Sequence, residues 1–207
     1  MATVKNRKQI AAEATRQVIV ETAARLFLER GYNATSIGRI ASEAGVAVQT
    51  IYNSIGAKGE LLSRVLDQAA AGDHAPTPVR QFMREQAERE TDPRRIIDQL
   101  IGFWRQALPA TAPVFRVIRE AAATDPDVAK LERRRAAQRL KNYAQAATVL
   151  AERGALREEL TIEQAATTIF AIGHPDTYRS LVLEGHWNHN QWANWARSTL
   201  HAALLSS

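Results

Sequence analysis

Residues 35–62 read TSIGRIASEAGVAVQTIYNSIGAKGELL, and their spacing predicts two short helices meeting at a tight turn. Ile37 to Ala44 forms the first helix and Val48 to Asn53 the second. With Ile37 as position one, Ala41 falls at five, Gly45 at nine and Ile51 at fifteen. Ala41 is small where the helices cross closely, and Gly45 can take the positive φ that such a turn demands. Ile40, Val46 and Ile51 close a small apolar core between the two helices. Ser36 is positioned as N-cap of the first helix, without the Glu partner of a capping box. This is the outline of a helix-turn-helix, whose second helix enters the DNA major groove. Its exposed early positions are Ala47, Gln49 and Thr50. Glutamine pairs bidentately with adenine, and the methyls of Thr50 and Ala47 suit thymine. Tyr52 and Lys58 follow, placed for phosphate contacts.

Outward from this stretch the chain reads as helix throughout, rich in alanine, leucine, arginine, glutamine and glutamate, with no strand-like alternation. Ile19, Ala23, Leu26 and Phe27 mark the buried stripe of a long first helix that Gly31 ends. The segment GDHAPTPVR, 72–80, follows the apolar run from Leu61 to Ala71 and is the candidate domain boundary. Asp92-Pro93 and Asp125-Pro126 pair an N-cap with a proline suited to the first helical position. The Pro126 helix should run to Arg153 and stop at Gly154. A further helix is expected over 162–172, a break at Gly173-His174-Pro175, and a last helix over 189–204 after Gly185. The fold class is all-α, with about nine to ten helices.

Composition narrows the function without deciding it. The 207 residues carry a net charge of +5, a sequence pI near 9.9 and no cysteine, which excludes a disulfide framework and any thiolate site. Residues 1–30 hold six bases against three acids, while the remainder after residue 73 is nearly balanced. A basic amino-terminal end is what a polyanion contact needs, although a solvated tail has the same composition. No signal peptide and no membrane span are read, and a reducing cytoplasm is the expected compartment. There is no Gly-rich phosphate loop after a strand, no Gly-x-Ser-x-Gly and no His-Glu-x-x-His, so nothing argues for an enzyme. The alternative to a DNA-binding protein is a helical ligand-binding or interaction protein.

The run from Arg16 to Leu66 resembles the DNA-binding domain of TetR-family transcriptional regulators. The resemblance rests on ETAARLFLERGYNATSIGRIASEAGV and AVQTIYNSIGAKGELL in that order and spacing. Gly31-Tyr32, Ala34-Thr35-Ser36, Ala44-Gly45-Val46, Thr50-Ile51-Tyr52, and Lys58 followed by Leu61-Leu62 fit the family pattern. It implies that Thr35, Tyr52 and Lys58 touch the phosphate backbone and that Ala47, Val48, Gln49 and Thr50 approach base edges. Ser36 and Asn53, beside them, complete the DNA-facing set. Two positions depart from the pattern: Ser54-Ile55 stands where members often have His-Phe, and Ala57 where many have a capping serine.

The resemblance further implies residues 1–72 as DNA-binding domain and 73–207 as a larger helical domain for ligand binding and dimerisation. The segments REAAATDPDVAKL (119–131) and HPDTYRSLVLEGHWNHNQWANWARSTLHAALL (174–205) resemble later helices of members, whose last long helices pair with a second subunit. A dimer is also expected independently, since one short recognition helix touches too few base pairs for specificity. The partner is then palindromic double-stranded DNA. Ala165, Ile169, Ile172, Tyr178, Leu181 and Val182 are the interface candidates, with monomer core as the other reading. A small-molecule pocket would be lined by Phe82, Met83, Phe103, Trp104, Phe115, Tyr143 and Phe170. Polar contacts would come from Gln86, Arg116, Arg119 or His174, and no ligand class is indicated. Arg133-Arg134-Arg135 with Arg139 reads as a solvated face rather than a second nucleic-acid patch. His186 and His189 read as packing rather than metal ligands. No cofactor and no metal are expected.

Overall fold

The computed structural model describes residues 2–71 and 90–206. Helices in order are α1 (Ala2–Arg30), α2 (Ile37–Ala44), α3 (Val48–Ser54), α4 (Lys58–Ala71), α5 (Pro93–Ala122), α6 (Pro126–Glu152), α7 (Ile162–Ile172), α8 (Pro175–Tyr178) and α9 (His189–Leu204). A π-helical stretch, Arg179–Glu184, continues α8. Among the described residues the only β-type pairing is one isolated bridge, Leu156 with Leu205. The fold is all-α, and no helix of the described residues is long and apolar enough to cross a membrane.

The helix boundaries follow from local chemistry. Asp92 Oδ1 accepts the N–H of Arg94 at 2.9 Å, and Asp125 Oδ1 accepts those of Asp127 and Val128 at 2.9 and 3.2 Å. Each aspartate satisfies N–H groups that the first turn leaves without helical partners. Past α6, Gly154 takes φ 62°, a left-handed conformation that ends a helix at little cost only for glycine. α7 and α9 open on capping boxes, Thr161 with Gln164 and Asn188 with Gln191. α5 continues through Pro109 and Pro113, although each lacks the N–H that would bond four residues back.

The compact units do not follow a single cut of the chain. One comprises Met1–Ala69 and Pro113–Glu132, the other Ala70–Ala112 and Arg133–Ser207. In the first, the stripe Ile19, Ala23, Leu26 and Phe27 packs with Ile40, Ile51, Leu61 and Leu62. Val117, Ile118, Val128 and Leu131, from the end of α5 and the start of α6, close the same core. Each fully buried aliphatic or aromatic side chain here contributes about 1.5–3 kcal/mol.

In the second unit Trp104, Tyr178 and Trp192 are the large buried centre. Ile97, Ile101, Leu150 and Leu200 pack around them. Four interface candidates prove to be core: Ala165, Ile169, Ile172 and Tyr178 are at most 8% exposed within the single chain. Leu181 and Val182 pack partly buried against the same cluster. A helical stripe at i, i+4, i+7 must be covered, and here the chain's own Trp104 and Trp192 cluster covers it.

Candidate nucleic-acid interface

The helix-turn-helix is built as its spacing requires. Ser36 lies in extended conformation and its hydroxyl accepts the N–H of Arg39 at 3.1 Å, which fixes the start of α2. Gly45 ends it at φ 67°, and the Val46 N–H reaches back to the Ala41 carbonyl at 3.0 Å. Ala41 and Ile40 are buried from α2 and Ile51 from α3. With Ile51 inward, the 3.6-residue period turns Gln49, Tyr52 and Asn53 outward, while Val48 stands at the helix start. All four are exposed, as is Ala47, while Thr50 is half-buried.

The outer face of α3 carries its own ordering bond. Gln49 Nε2 donates to Asn53 Oδ1 at 2.8 Å, one helical turn on. That bond uses one of the two Gln49 N–H groups, leaving its other N–H and its carbonyl for a base edge. An exposed amide already held in place loses less side-chain entropy on binding. Tyr52, about half exposed at 49%, lies on the same face.

Thr35 is corrected. It is fully buried, its hydroxyl donates to the Gly31 carbonyl at 2.9 Å and to that of Leu26 at 3.3 Å, and its N–H donates to the Tyr32 carbonyl. Neither group is presented to a phosphate; Thr35 instead locks the α1–α2 turn. The two departures from the family pattern are also accounted for locally. Ser54 donates to the Thr50 carbonyl at 2.6 Å. The start of α4, lacking a capping serine, is held by Glu60, whose Oε2 accepts the Ala57 N–H at 2.8 Å.

Lys58 is half-buried, its Nζ lying 3.9 Å from the centroid of the Tyr32 ring. The Tyr32 hydroxyl donates to Asp125 Oδ2 at 2.9 Å. Burial lowers the Lys58 pKa, an effect that the Asp125 charge partly counters. Burial, then the bond to the Asp125 carboxylate, pushes the Tyr32 hydroxyl well up. At Asp125 burial opposes ionisation. The Tyr32 hydroxyl, the Val128 and Asp127 N–H groups and Lys58 outweigh it and hold the carboxyl below its ordinary value. Sequence reasoning singled out Lys58 but missed Tyr32 and Asp125 as its companions. On α2, Glu43 is shared between Arg25 and Arg39; the Arg25 hydrogen bond first, then that from Arg39, lowers its pKa.

Residues 19–65, the segment that builds this geometry, match the profile of the family described as bacterial regulatory proteins, tetR family. Over 167 residues the chain is 29% identical to a probable HTH-type transcriptional regulator, ArpR of Pseudomonas putida, covering 77% of each sequence. Over residues 19–65 the chain carries a tetR-family regulatory segment. Likeness of fold extends past the matched segment. NalD of Pseudomonas aeruginosa, the secondary repressor of the MexAB-OprM multidrug efflux pump, superposes with a TM-score of 0.74 at 20% identity, covering 95% of this chain and 98% of NalD. FadR of Bacillus subtilis, solved in complex with stearoyl-CoA, gives 0.71 at 18% identity, covering 90% and 97%. At those identities the likeness is one of fold.

The pocket candidates fall at different places in the chain. Phe82, Met83 and Gln86 lie outside the described residues. Phe115 and Arg119 belong to the first compact unit, where Phe115 packs on the apolar core and Arg119 Nε lies 3.7 Å from Glu132. α5 passes from one unit to the other between Ala112 and Pro113. Trp104 is core, its Nε1 donating to the Tyr143 hydroxyl at 3.2 Å, and Phe103 packs partly buried beside it.

Tyr143, Phe170 and His174 are brought together. Tyr143 and Phe170 centroids stand 6.3 Å apart, and Phe170 and His174 5.2 Å. Arg139 joins them, with its guanidinium 5.2 Å from the Phe170 centroid and Nη2 3.2 Å from His174 Nε2. Burial raises the Tyr143 hydroxyl pKa. Arg139 thus lies inside this aromatic cluster, apart from the exposed Arg133 and Arg134. His189 Nδ1 pairs with the Tyr178 hydroxyl at 2.8 Å, the two rings stacked, so its ring is engaged in packing.

Proposed function

We propose that the chain is a cytoplasmic, sequence-specific repressor that binds palindromic operator DNA as a homodimer and releases it when a small molecule occupies the second unit. The observation that carries this reading is the outward face of α3, where the Gln49–Asn53 pair, Val48 and Tyr52 are exposed beside a glycine turn. Ala47, Gln49 and Thr50 face base edges, Tyr52 and Lys58 the phosphates, and Ser36 and Asn53 flank them. A helix of seven residues spans only about 10 Å, so two heads on successive half-sites are needed for specificity.

Pairing is supported by the positions that α7 and α9 leave exposed. Thr167 and Ala171 on one helix, and Asn194, Ser198 and Ala202 on the other, are exposed at four-residue spacing, small enough to let partner helices approach. Effector release is supported by the fold likeness to FadR, which was solved with stearoyl-CoA. An effector that binds one arrangement of the dimer better shifts the population by its differential affinity. The reading is one of binding, not catalysis.

Gln49→Ala should relax base preference at one operator position and cost ~1–3 kcal/mol there. Comparing the base preferences of wild type and variant, position by position, checks this. An unchanged profile would remove Gln49 from the base-reading set.

A further inference from the structure

The polar cluster at Tyr32, Lys58 and Asp125 has more structure than a phosphate contact needs. Its members come from the α1–α2 turn, the first residue of α4 and the α5–α6 turn, all within one compact unit. Asn33 Nδ2 donates to Thr124 Oγ1 at 3.1 Å beside it, so the two turns are joined twice. Asp125 divides its carboxylate: Oδ1 caps α6 and Oδ2 receives the Tyr32 hydroxyl. The ring whose hydroxyl is so bound carries the Lys58 ammonium on its face.

A cation over an aromatic face, with a carboxylate in its field, already has an anionic environment. A DNA phosphate that takes Lys58 must draw it away from that environment or share it. We propose that Asp125 is an internal anion competing with DNA phosphate for Lys58, so that a residue making no DNA contact sets how strongly the head binds. The inference rests on the DNA-binding reading above. Asp125 is a positioning residue in this scheme, acting through Lys58.

Asp125→Asn tests it, because asparagine caps helices as well as aspartate and still accepts from Tyr32; only the charge is lost. Wild type, Asp125→Asn, Lys58→Ala and the double variant would be titrated with a mixed-sequence duplex of roughly 40 base pairs across a salt series. Asp125→Asn should bind about three- to fivefold tighter near ~0.1 M salt, the scale of a partly exposed charge pair, and with a steeper salt slope. In the Lys58→Ala background that gain should vanish. Asp125→Ser, a second neutral cap, should reproduce the gain, and melting curves check that the variants are folded.

Weaker or unchanged binding by folded Asp125→Asn would overturn the proposal. A gain that persists without Lys58 would do so as well, since it would reflect general charge alone. Failure of wild type to bind duplex would take the DNA-binding reading down too. Binding by wild type without the coupling would take down this inference only.

Discussion

Ile51→Ala should cost about 2–5 kcal/mol in the first compact unit and abolish operator binding, although Ile51 itself faces away from DNA. Ile51 is wholly buried and is the inward residue of α3. Its side chain seats the helix against Ile40 of α2 and the α1 stripe. Truncation leaves a cavity under a seven-residue helix, too short to persist without packing. All four tryptophans, Trp104, Trp187, Trp192 and Trp195, belong to the second unit. Far-ultraviolet dichroism should therefore show the early loss of helix, while the tryptophan fluorescence transition stays near its wild-type midpoint. Unchanged dichroism with wild-type DNA affinity would contradict the role given to Ile51.

The converse variant, Trp104→Ala, should cost about 3–5 kcal/mol and lower the second unit's own transition. Trp104 is 1% exposed, stands edge-on to Tyr143 at 5.9 Å and lies 6.3 Å from Trp192. Its loss empties the centre of the cluster and strands the buried Tyr143 hydroxyl without the indole donor. The fit is tight on the other side as well. A Cβ at Gly173 would come within 2.0 Å of the indole carbon Cζ2, so the glycine before His174 makes room for the ring. Denaturant titration followed by the remaining tryptophans measures the effect, and a shift below ~1 kcal/mol would show that Trp104 does not anchor the cluster.

Helix punctuation was legible because it is local. Asp-Pro pairs, Gly45 and Gly154 act through φ and through N–H groups within a turn, and the observed boundaries follow them. The helix-turn-helix was legible because Ala41, Gly45 and Ile51 each meet a steric demand at a fixed spacing. Thr35 was misplaced because a threonine after a glycine turn looks the same in sequence whether its hydroxyl meets a phosphate or the carbonyl of Gly31. The stripe Ala165, Ile169 and Ile172 announced burial but not what buries it, and Trp104 and Trp192 are distant in sequence. That Phe115 and Arg119 fall in the first unit was not legible, since nothing local marks where α5 changes unit. The bond from Tyr32 to Asp125 joins positions 93 apart, and neither residue signals the other.

In the proposed dimer, two α3 helices read the operator together. Selection of bound sequences from a random duplex pool at two salt concentrations tests it most directly. The selected sequences should form a palindrome whose half-sites are centred about one helical turn apart, roughly 10 base pairs, with the motif retained as salt rises and the background lost. Salt-sensitive background with no motif would contradict it.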